Sequence, residues 1–243
     1  EISEVYESYA VRLRPYVSDV FYLIHAALER GGRVLAEGAQ GTLLDINHGT
    51  YPYVTSSSPT AGGVLTGLGV GPRVVDRVIG VAKAFQTRVG EGPMPTEQTG
   101  PIGNALRGTG SNPWDEYGTT TGRPRRCGWL DLVLLRYAAR VNGLTHLVIT
   151  KLDVLTGLDP LQVGTAYTLK GQAWSDLPGG YGALLLSQPI YTALPGWTKP
   201  ISAIRLPADL PPAARAYLTF IEEQVRVPVA MASVGPEREQ AVH

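Results

Sequence analysis

Short apolar runs alternate with amphipathic stretches along this chain, and that alternation restricts the fold more than any other feature. Residues 146–150 (HLVIT) form an apolar run, and they follow an amphipathic stretch with helical spacing, residues 128–142. A strand without polar alternation has to be covered on both faces, as in parallel sheets whose strands are joined through helices. The sequence therefore predicts an α/β fold, a mostly parallel sheet with helices on both faces.

The rest of the chain divides into further predicted elements. We expect helices over residues 18–30, 60–76 and 211–226, and strands over 33–36, 78–84 and 227–232. Short alternating strands at 163–169 and 201–206 predict a small antiparallel excursion. Residues 86–96 are expected to form a loop, and residues 97–114, which lack an apolar period, to be poorly ordered. No clean linker is visible, so residues 1–243 are predicted to form a single domain.

Composition excludes several classes of protein. Lys and Arg number 21 and Asp and Glu also 21, so no global field draws the chain to nucleic acid or to an anionic membrane. The single cysteine, Cys127, excludes an intramolecular disulfide and fits a reducing compartment. No apolar run is long enough to cross a membrane and no signal peptide is visible, so we expect a cytoplasmic protein. Because the chain begins with Glu1 rather than Met, we expect a fragment or a processed product.

Residues 116–126 (EYGTTTGRPRR) are the most unusual segment of the chain. Its threonines, glycines and arginines cannot pack as a core segment, and they show neither a helical nor a strand period. Hydroxyls, free backbone N–H groups and guanidinium forks can together hold carboxylates and phosphates bidentately. The alternative is a solvated turn with an exposed basic cluster, which is what most charge runs are. An apolar stretch, residues 127–139, follows directly, so we expect the loop to be fixed at the mouth of a helix.

Two segments that follow predicted strands could flank a purine base. Lys151, Leu152 and Asp153 lie just past the apolar run 146–150, where α/β sheets place their ligands. A carboxylate such as Asp153 suits the paired N–H donors of guanine, and adenine offers no such pair. The second segment, residues 233–236 (SVGP), forms a turn after the last predicted strand. Taken alone, each segment also fits a plainer interpretation, a surface Lys–Asp pair and an ordinary turn.

A third polar segment follows the predicted strand 33–36. Gln40 stands between Gly38 and Gly41, and its amide could both donate to and accept from a purine edge. A solvent-facing glutamine fits the segment equally well. The hydroxyl-rich loop that follows, residues 54–58, could hold phosphate oxygens or be a solvated turn. No Walker-type phosphate loop, dinucleotide fingerprint or metal-ligand spacing occurs in the chain.

Together these segments resemble the adenylosuccinate synthetase family of GTP-dependent ligases. Their order and spacing fit the family along essentially the whole chain, and the motifs are long and specific. They are EGAQGTLLDINHGTYPYVTSSS (37–58), TAGG (60–63), TRVGEGPMPTE (87–97), EYGTTTGRPRRCGWLD (116–131), TKLDVL (150–155) and SVGPER (233–238).

The resemblance implies an activity and a set of site residues. The family joins IMP and L-aspartate through 6-phosphoryl-IMP while GTP is converted to GDP and phosphate, with Mg²⁺ at the phosphates. Gln40 would then contact the purine and stabilise its phosphorylated O6, and Thr55 would hold the IMP phosphate. The loop that closes on aspartate would comprise Thr119, Thr120, Thr121, Gly122, Arg123, Pro124 and Arg125. Within it Arg123 would also approach IMP, and Arg125 would also serve GTP.

The guanine base would lie between the two segments named above. Lys151, Leu152 and Asp153 would frame it, with Asp153 reading N1 and N2. Ser233, Val234 and Gly235 would close its other side.

The chain departs from the family chiefly in length. Asn47 stands where relatives commonly carry Asp and Pro124 where many carry a basic residue, but neither affects a proposed chemical role. The family is close to twice as long, and the portion missing here supplies the phosphate loop, the catalytic Asp and His, and the Mg²⁺ ligands. We therefore expect a chain that is inactive alone, the C-terminal part of a homodimeric enzyme, with raw sheet edges and exposed apolar surface.

Two rival interpretations stay open at this point. One is a non-catalytic guanine-nucleotide-binding fragment. The other is a nucleic-acid binder that uses Arg123, Arg125 and Arg126, which the balanced charge disfavours.

Overall fold

A computed structural model describes residues 2–180 and 182–243 of the chain. The helices are α1 Ile2–Leu13, α2 Val20–Glu29, α3 Ala61–Leu68, α4 Pro101–Arg107, α5 Leu132–Asn142, α6 Ala183–Leu186 and α7 Pro212–Val225. The strands are β1 Ile79–Lys83, β2 Gln86–Arg88, β3 Arg126–Gly128, β4 Leu130–Asp131, β5 His146–Thr150, β6 Leu161–Leu169, β7 Gln172–Trp174, β8 Gln188–Leu194, β9 Val229–Ser233 and β10 Ala241–Val242.

The main sheet has the strand order β1-β5-β9-β10, and its first three strands are parallel. The apolar run that predicted it forms β5, the central strand, in which Leu147 and Ile149 are fully buried. Lys83 pairs with Thr150, so β1 and β5 end at the same edge of the sheet. The prediction of an α/β fold with a mostly parallel sheet is confirmed.

Helix α5 carries the sequence from the polar loop to β5. Asp131 caps it, because its carboxylate accepts from the backbone N–H groups of Val133 and Leu134, both at 3.1 Å. Gly143 ends it in the left-handed conformation, where glycine has no steric cost. On α7, the buried Tyr217 hydroxyl donates to the Ala84 carbonyl at 2.6 Å and ties that helix to the end of β1.

A second sheet forms the antiparallel excursion. Strand β6 pairs antiparallel with β7 and β8 and parallel with β4. The predicted strand at 163–169 is therefore present, but the one at 201–206 is wrong. There the Ile204 N–H donates to the Ile201 carbonyl, and Arg205 donates to two carbonyls of the same segment. The segment satisfies its backbone locally as a turn and needs no strand partner.

Other predicted boundaries are corrected by caps and turns. Helix α3 ends at Leu68, before a left-handed Gly69 and a proline, and does not continue to residue 76. The poorly ordered segment predicted at 97–114 contains α4, a short helix that begins with Pro101 and buries Leu106. Residues 33–36 form no strand, and Gln86–Arg88 form one where a loop was predicted. The strands around Gly128 displace the start of the predicted helix 128–142 to Leu132.

Apolar surface is exposed at the N-terminal end and along β1. Helices α1 and α2 bury none of their residues, and the side chains of Tyr6, Leu23 and Leu35 are mostly exposed. Within the described residues, β1 pairs with β5 alone and leaves its other edge open, with Val81 72% exposed. This is the kind of open edge and apolar surface that the sequence predicted. Among the described helices none has the length and apolarity needed to cross a membrane.

Candidate functional site

Three polar residues meet at the carboxyl edge of the main sheet. Lys151 and Ser233 were predicted as site residues, and Lys83 was not. Lys83 is the last residue of β1, Lys151 follows β5, and Ser233 is the last residue of β9. The Lys151 backbone N–H donates to the Ser233 hydroxyl at 3.0 Å. The two segments predicted to flank a base are thus in direct contact, at the edge where parallel sheets place their ligands.

The backbone turns sharply at Lys151 to expose this edge. Lys151 has φ 61° and ψ 34°, a left-handed conformation that costs a non-glycine residue roughly 1 kcal/mol or more. Leu152, fully buried, anchors the short 3₁₀ helix that follows. Asp153 is half-buried, and no described side chain forms an ion pair with it. Desolvation raises the pKa of Asp153, and its own backbone N–H and the charge of Lys151 oppose that rise.

The turn after β9 is held by a single glutamine. The Val234 N–H donates to the Gln240 carbonyl at 2.8 Å, and Val234 is fully buried. A Cβ at Gly235 would lie 2.3 Å from the Gln240 side-chain oxygen, so a side chain there would displace that amide. The predicted residues Ser233, Val234 and Gly235 therefore form a rigid turn beside Lys151.

A buried carboxylate joins the polar loop to this edge. Glu116, 1% exposed, accepts from Lys83 at 2.7 Å, from Arg125 at 2.9 Å and from Lys151 at 2.5 Å. We call Glu116, Lys83, Arg125 and Lys151 the charge hub. One carboxylate thus contacts both Arg125, which the sequence assigned to aspartate and GTP, and Lys151, which it assigned to guanine.

The electrostatics of the hub follow from its burial. Burial alone would raise the pKa of Glu116, but the hydrogen bonds and charges of Lys151 and Lys83 hold that pKa below its ordinary value. Burial lowers the pKa of Lys83, and Glu116 works against this. Neither Glu116 nor Lys83 is predicted from the sequence as a site residue. Lys83 could have been found by one feature that it shares with Lys151, since both are lysines at the end of an apolar strand.

The loop between Glu116 and Arg125 is closed on itself and exposed at its tip. The Gly118 N–H donates to the Arg123 carbonyl at 2.8 Å, and the Gly122 N–H donates to the Gly118 carbonyl at 2.7 Å. The residues that the sequence assigned to aspartate binding lie at this exposed tip, except Arg125; they are Thr119, Thr120, Thr121, Gly122, Arg123 and Pro124. Arg125 lies at the loop base, and its Nε is buried without a hydrogen-bond partner among the described residues.

Two arginines of this segment, Arg123 and Arg126, have different environments. Arg123 is exposed, whereas Arg126 pairs with Glu97 at 2.5 Å and donates to the carbonyls of Gly90 and Gly92. The loop is followed by a short strand, β3, and not by the mouth of a helix as the sequence predicted. Arg126 therefore fixes neighbouring backbone, and Arg123 stays available at the tip.

Gln40 and Thr55 lie in a loop that Asp45 organises. The fully buried Asp45 carboxylate accepts from the backbone N–H groups of Asn47 and His48 and from the Thr60 hydroxyl. The Thr55 N–H donates to the Leu44 carbonyl at 2.8 Å.

Arg88 connects this loop to the strands beside the polar loop. Gln40, within the same loop, is exposed, with φ 64°. Arg88 on β2 donates to Thr50 and to the Tyr53 carbonyl, and β2 pairs with β3, which follows the polar loop. Among the described residues no hydrogen bond joins Gln40 or Thr55 to the charge hub itself.

The site offers a poor set of ligands for Mg²⁺. Glu116 is already paired with three cations. Over residues 2–180 and 182–243 no group of three or more His, Cys, Asp or Glu side chains is placed to hold a metal ion. Divalent magnesium needs oxygen ligands, so the described residues do not fit it.

Comparison with known proteins places this arrangement in a family. The family model described as adenylosuccinate synthetase matches residues 1–242. Adenylosuccinate synthetases from Moorella thermoacetica and Desulforudis audaxviator are each 55% identical to this chain over 241 residues. Those matches cover 99% of this chain but 56% and 55% of the relatives, so the chain spans about half their length.

A solved structure of the fully ligated adenylosuccinate synthetase from Plasmodium falciparum matches this chain with a TM-score of 0.93 and 38% identity. The match covers 98% of this chain and 56% of that one. A cyanophage S-2L succinoaminodeoxyadenylate synthetase shares the fold at TM-score 0.56 and 20% identity, covering 93% and 50%.

The fold and the edge site define an α/β protein whose polar loops gather at the carboxyl ends of parallel strands. The chain belongs to the adenylosuccinate synthetase family.

Proposed function

We propose that the native polypeptide containing this chain is a ligase that joins IMP and L-aspartate to form adenylosuccinate while converting GTP to GDP and phosphate. The observation that carries the proposal is the contact between Lys151 and Ser233 beside Asp153. It brings both segments assigned to guanine to one sheet edge, and the charge hub joins that edge to the loop assigned to aspartate. Family membership over residues 1–242 supports the same reaction.

The residues of this chain supply recognition and charge stabilisation in that reaction. The Asp153 carboxylate accepts from guanine N1–H and the N2 amine, and the turn Ser233, Val234, Gly235 covers the other side of the base. Arg123 pairs with the aspartate carboxylates, and the loop tip closes over them. Gln40 stabilises charge at the purine O6, and Thr55 holds the IMP phosphate.

Proton transfer and metal binding depend on groups outside this chain. The base that takes the IMP N1 proton, the catalytic His and the phosphate loop belong to the portion of the family that these 243 residues do not match. Mg²⁺ at the GTP phosphates, a homodimer and a cytoplasmic location are parts of the same proposal.

Turnover of the native polypeptide tests this function. Its intact mass is measured first, because a mass near 26.0 kDa would mean that the phosphate loop is absent. A larger polypeptide is then assayed for adenylosuccinate with each substrate omitted in turn and with ATP in place of GTP. Formation that requires IMP, aspartate and GTP supports the proposal, and formation that proceeds equally with ATP contradicts the guanine site.

A second candidate function applies if the polypeptide is no longer than this chain. The missing phosphate-loop motif favours a guanine-nucleotide-binding module without turnover. Calorimetry would then show GDP binding in preference to ADP, with no dependence on IMP or aspartate.

A further inference from the structure

The Glu116 side chain gathers three cations from three separate segments. Lys83 comes from the end of β1, Lys151 from the turn after β5, and Arg125 from the base of the polar loop. Both Glu116 oxygens are used, since Lys83 bonds to each at 2.7 Å. At 1% exposure the carboxylate is shielded from the solvent screening that weakens surface ion pairs.

Glu116 is also fixed by its own backbone. Its N–H donates to the Arg107 carbonyl at 2.8 Å, and its carbonyl accepts from the Arg125 N–H at 2.9 Å. Arg107 in turn donates through Nε to the Arg125 carbonyl at 2.7 Å. These bonds close the base of the polar loop and fix the backbone from which the carboxylate projects.

The hub is incomplete in charge and in hydrogen bonding. Three cations face one carboxylate, which leaves two positive charges in excess at the carboxyl edge of the sheet. The buried Arg125 Nε still lacks a partner among the described residues. Without the carboxylate, the three cations would repel one another. Lys151 would keep its bond to the Trp114 carbonyl at 2.6 Å and Lys83 its bond to the Thr87 hydroxyl at 2.8 Å, but neither acceptor carries a charge to balance them.

We propose that Glu116 is a shared positioning residue, which holds Arg125 for aspartate and GTP and Lys151 for the guanine nucleotide at the same time. Lys83 is the third cation that fixes the Glu116 carboxylate. The inference rests on the proposed function and deepens it. Because one carboxylate positions both side chains, its loss weakens the use of aspartate and of GTP together. The use of IMP is affected less, since Gln40 and Thr55, two of the three residues assigned to IMP, lie in the loop organised by Asp45 and not at the hub.

Substitution in the full native polypeptide tests the proposal. We expect Glu116→Gln to raise the KM for aspartate and the KM for GTP each by about tenfold or more. The reason is that Arg125 and Lys151 each lose a hydrogen bond to a charged acceptor. The KM for IMP should change less than about twofold. Glu116→Asp keeps the charge and should restore part of both losses, which a role in shape alone would not predict.

Glu97→Gln provides the matched control. It breaks the other Arg–Glu pair of this region, Arg126–Glu97, and leaves the hub intact. Glu97→Gln should lower the melting temperature. The ratio of its KM values for GTP and aspartate should stay as in the wild type. Equal rises in all three KM values in Glu116→Gln, or a rise in only one of aspartate and GTP, would overturn the shared role.

The two proposals fail in different ways. Wild-type polypeptide that forms no adenylosuccinate contradicts the proposed function, and GDP affinity by calorimetry then tests the hub. A weaker GDP affinity in Glu116→Gln, partly restored in Glu116→Asp, keeps the positioning role. An unchanged GDP affinity, or no GDP binding by the wild type, removes it.

Discussion

At the scale of single residues, the site depends on which polar side chains are already satisfied within the chain. Arg126 uses its guanidinium on Glu97 and two carbonyls, whereas Arg123, three positions earlier, is exposed. Asp153 has no ion-pair partner among the described side chains, whereas Glu116 has three. Residues whose capacity is unused are the ones that a ligand can engage.

Asp153→Asn should reverse the preference between guanine and xanthine nucleotides. The amide loses the charged acceptor for guanine N1–H and N2 and presents a donor to xanthine O2. We expect kcat/KM for GTP to fall by about tenfold to a hundredfold and that for xanthosine triphosphate to rise. Asp176→Asn, which alters an exposed carboxylate paired with Arg140, is the control. An unchanged ratio of the two nucleotides would exclude Asp153 from the base site.

Arg123→Leu should chiefly impair aspartate use. Loss of a bidentate guanidinium–carboxylate pair is expected to raise the KM for aspartate by about tenfold to a hundredfold, with protein stability unchanged because Arg123 is exposed. Arg126→Leu should do the opposite and lower the melting temperature, since its bonds to Glu97, Gly90 and Gly92 hold the fold. Steady-state kinetics and thermal melts of both variants measure the aspartate KM and the melting temperature. An unaltered aspartate KM in Arg123→Leu would contradict the assignment.

At the scale of elements, the cap of α5 links that helix to the second sheet. Asp131, 1% exposed, accepts from two backbone N–H groups of α5 and from the Tyr167 hydroxyl of β6 at 2.6 Å. Burial raises the pKa of Asp131 to about 6, and the hydrogen bonds from Tyr167, Leu134 and Val133 oppose that rise. The helix start is thus anchored by a carboxylate that is costly to ionise.

The raised pKa of Asp131 makes stability fall as pH rises. The folded state binds its proton more tightly than the unfolded state, so this contribution is full below about pH 4 and is lost on passing through about pH 6. A rise of the Asp131 pKa from 3.8 to about 6 corresponds to roughly 3 kcal/mol of unfolding free energy at low pH. Denaturant melts of wild type and Asp131→Asn between pH 4 and 7 measure it, because the amide does not titrate. A stability difference between them that is constant with pH would contradict this.

At the scale of the whole molecule, the sheet is open at β1. Val81, 72% exposed, and Ile79, 51% exposed, lie on a strand whose second edge is unpaired within the described residues. Such an edge binds other strands readily. We expect the 243-residue chain, prepared alone, to self-associate in the micromolar range, and Val81→Lys to reduce this. Light scattering at several concentrations is the measurement, with Val11→Lys on α1 as a control of equal charge. A concentration-independent monomer would contradict the prediction.

Sequence patterns located the strands of the main sheet better than they located the ends of the elements. The apolar runs at β1, β5 and β9 identified the parallel strands, and the segments after β5 and β9 were found to be in contact, as their positions after parallel strands suggested. The turn at residues 201–206 and helix α4 were missed, because a few side-chain or cap bonds decide them and produce no period.

The sequence by itself determined the fold class, the parallel strands and the segments that line the carboxyl edge, because apolar periodicity and turn chemistry are local properties. Only the tertiary structure decided that Glu116 holds Lys83, Arg125 and Lys151 together, and that Arg126 is used by the fold while Arg123 is not. Those outcomes depend on which charges are brought together and buried. Spacing along a chain does not record them, since the Glu116 contacts join residues as far as 33 and 35 positions away.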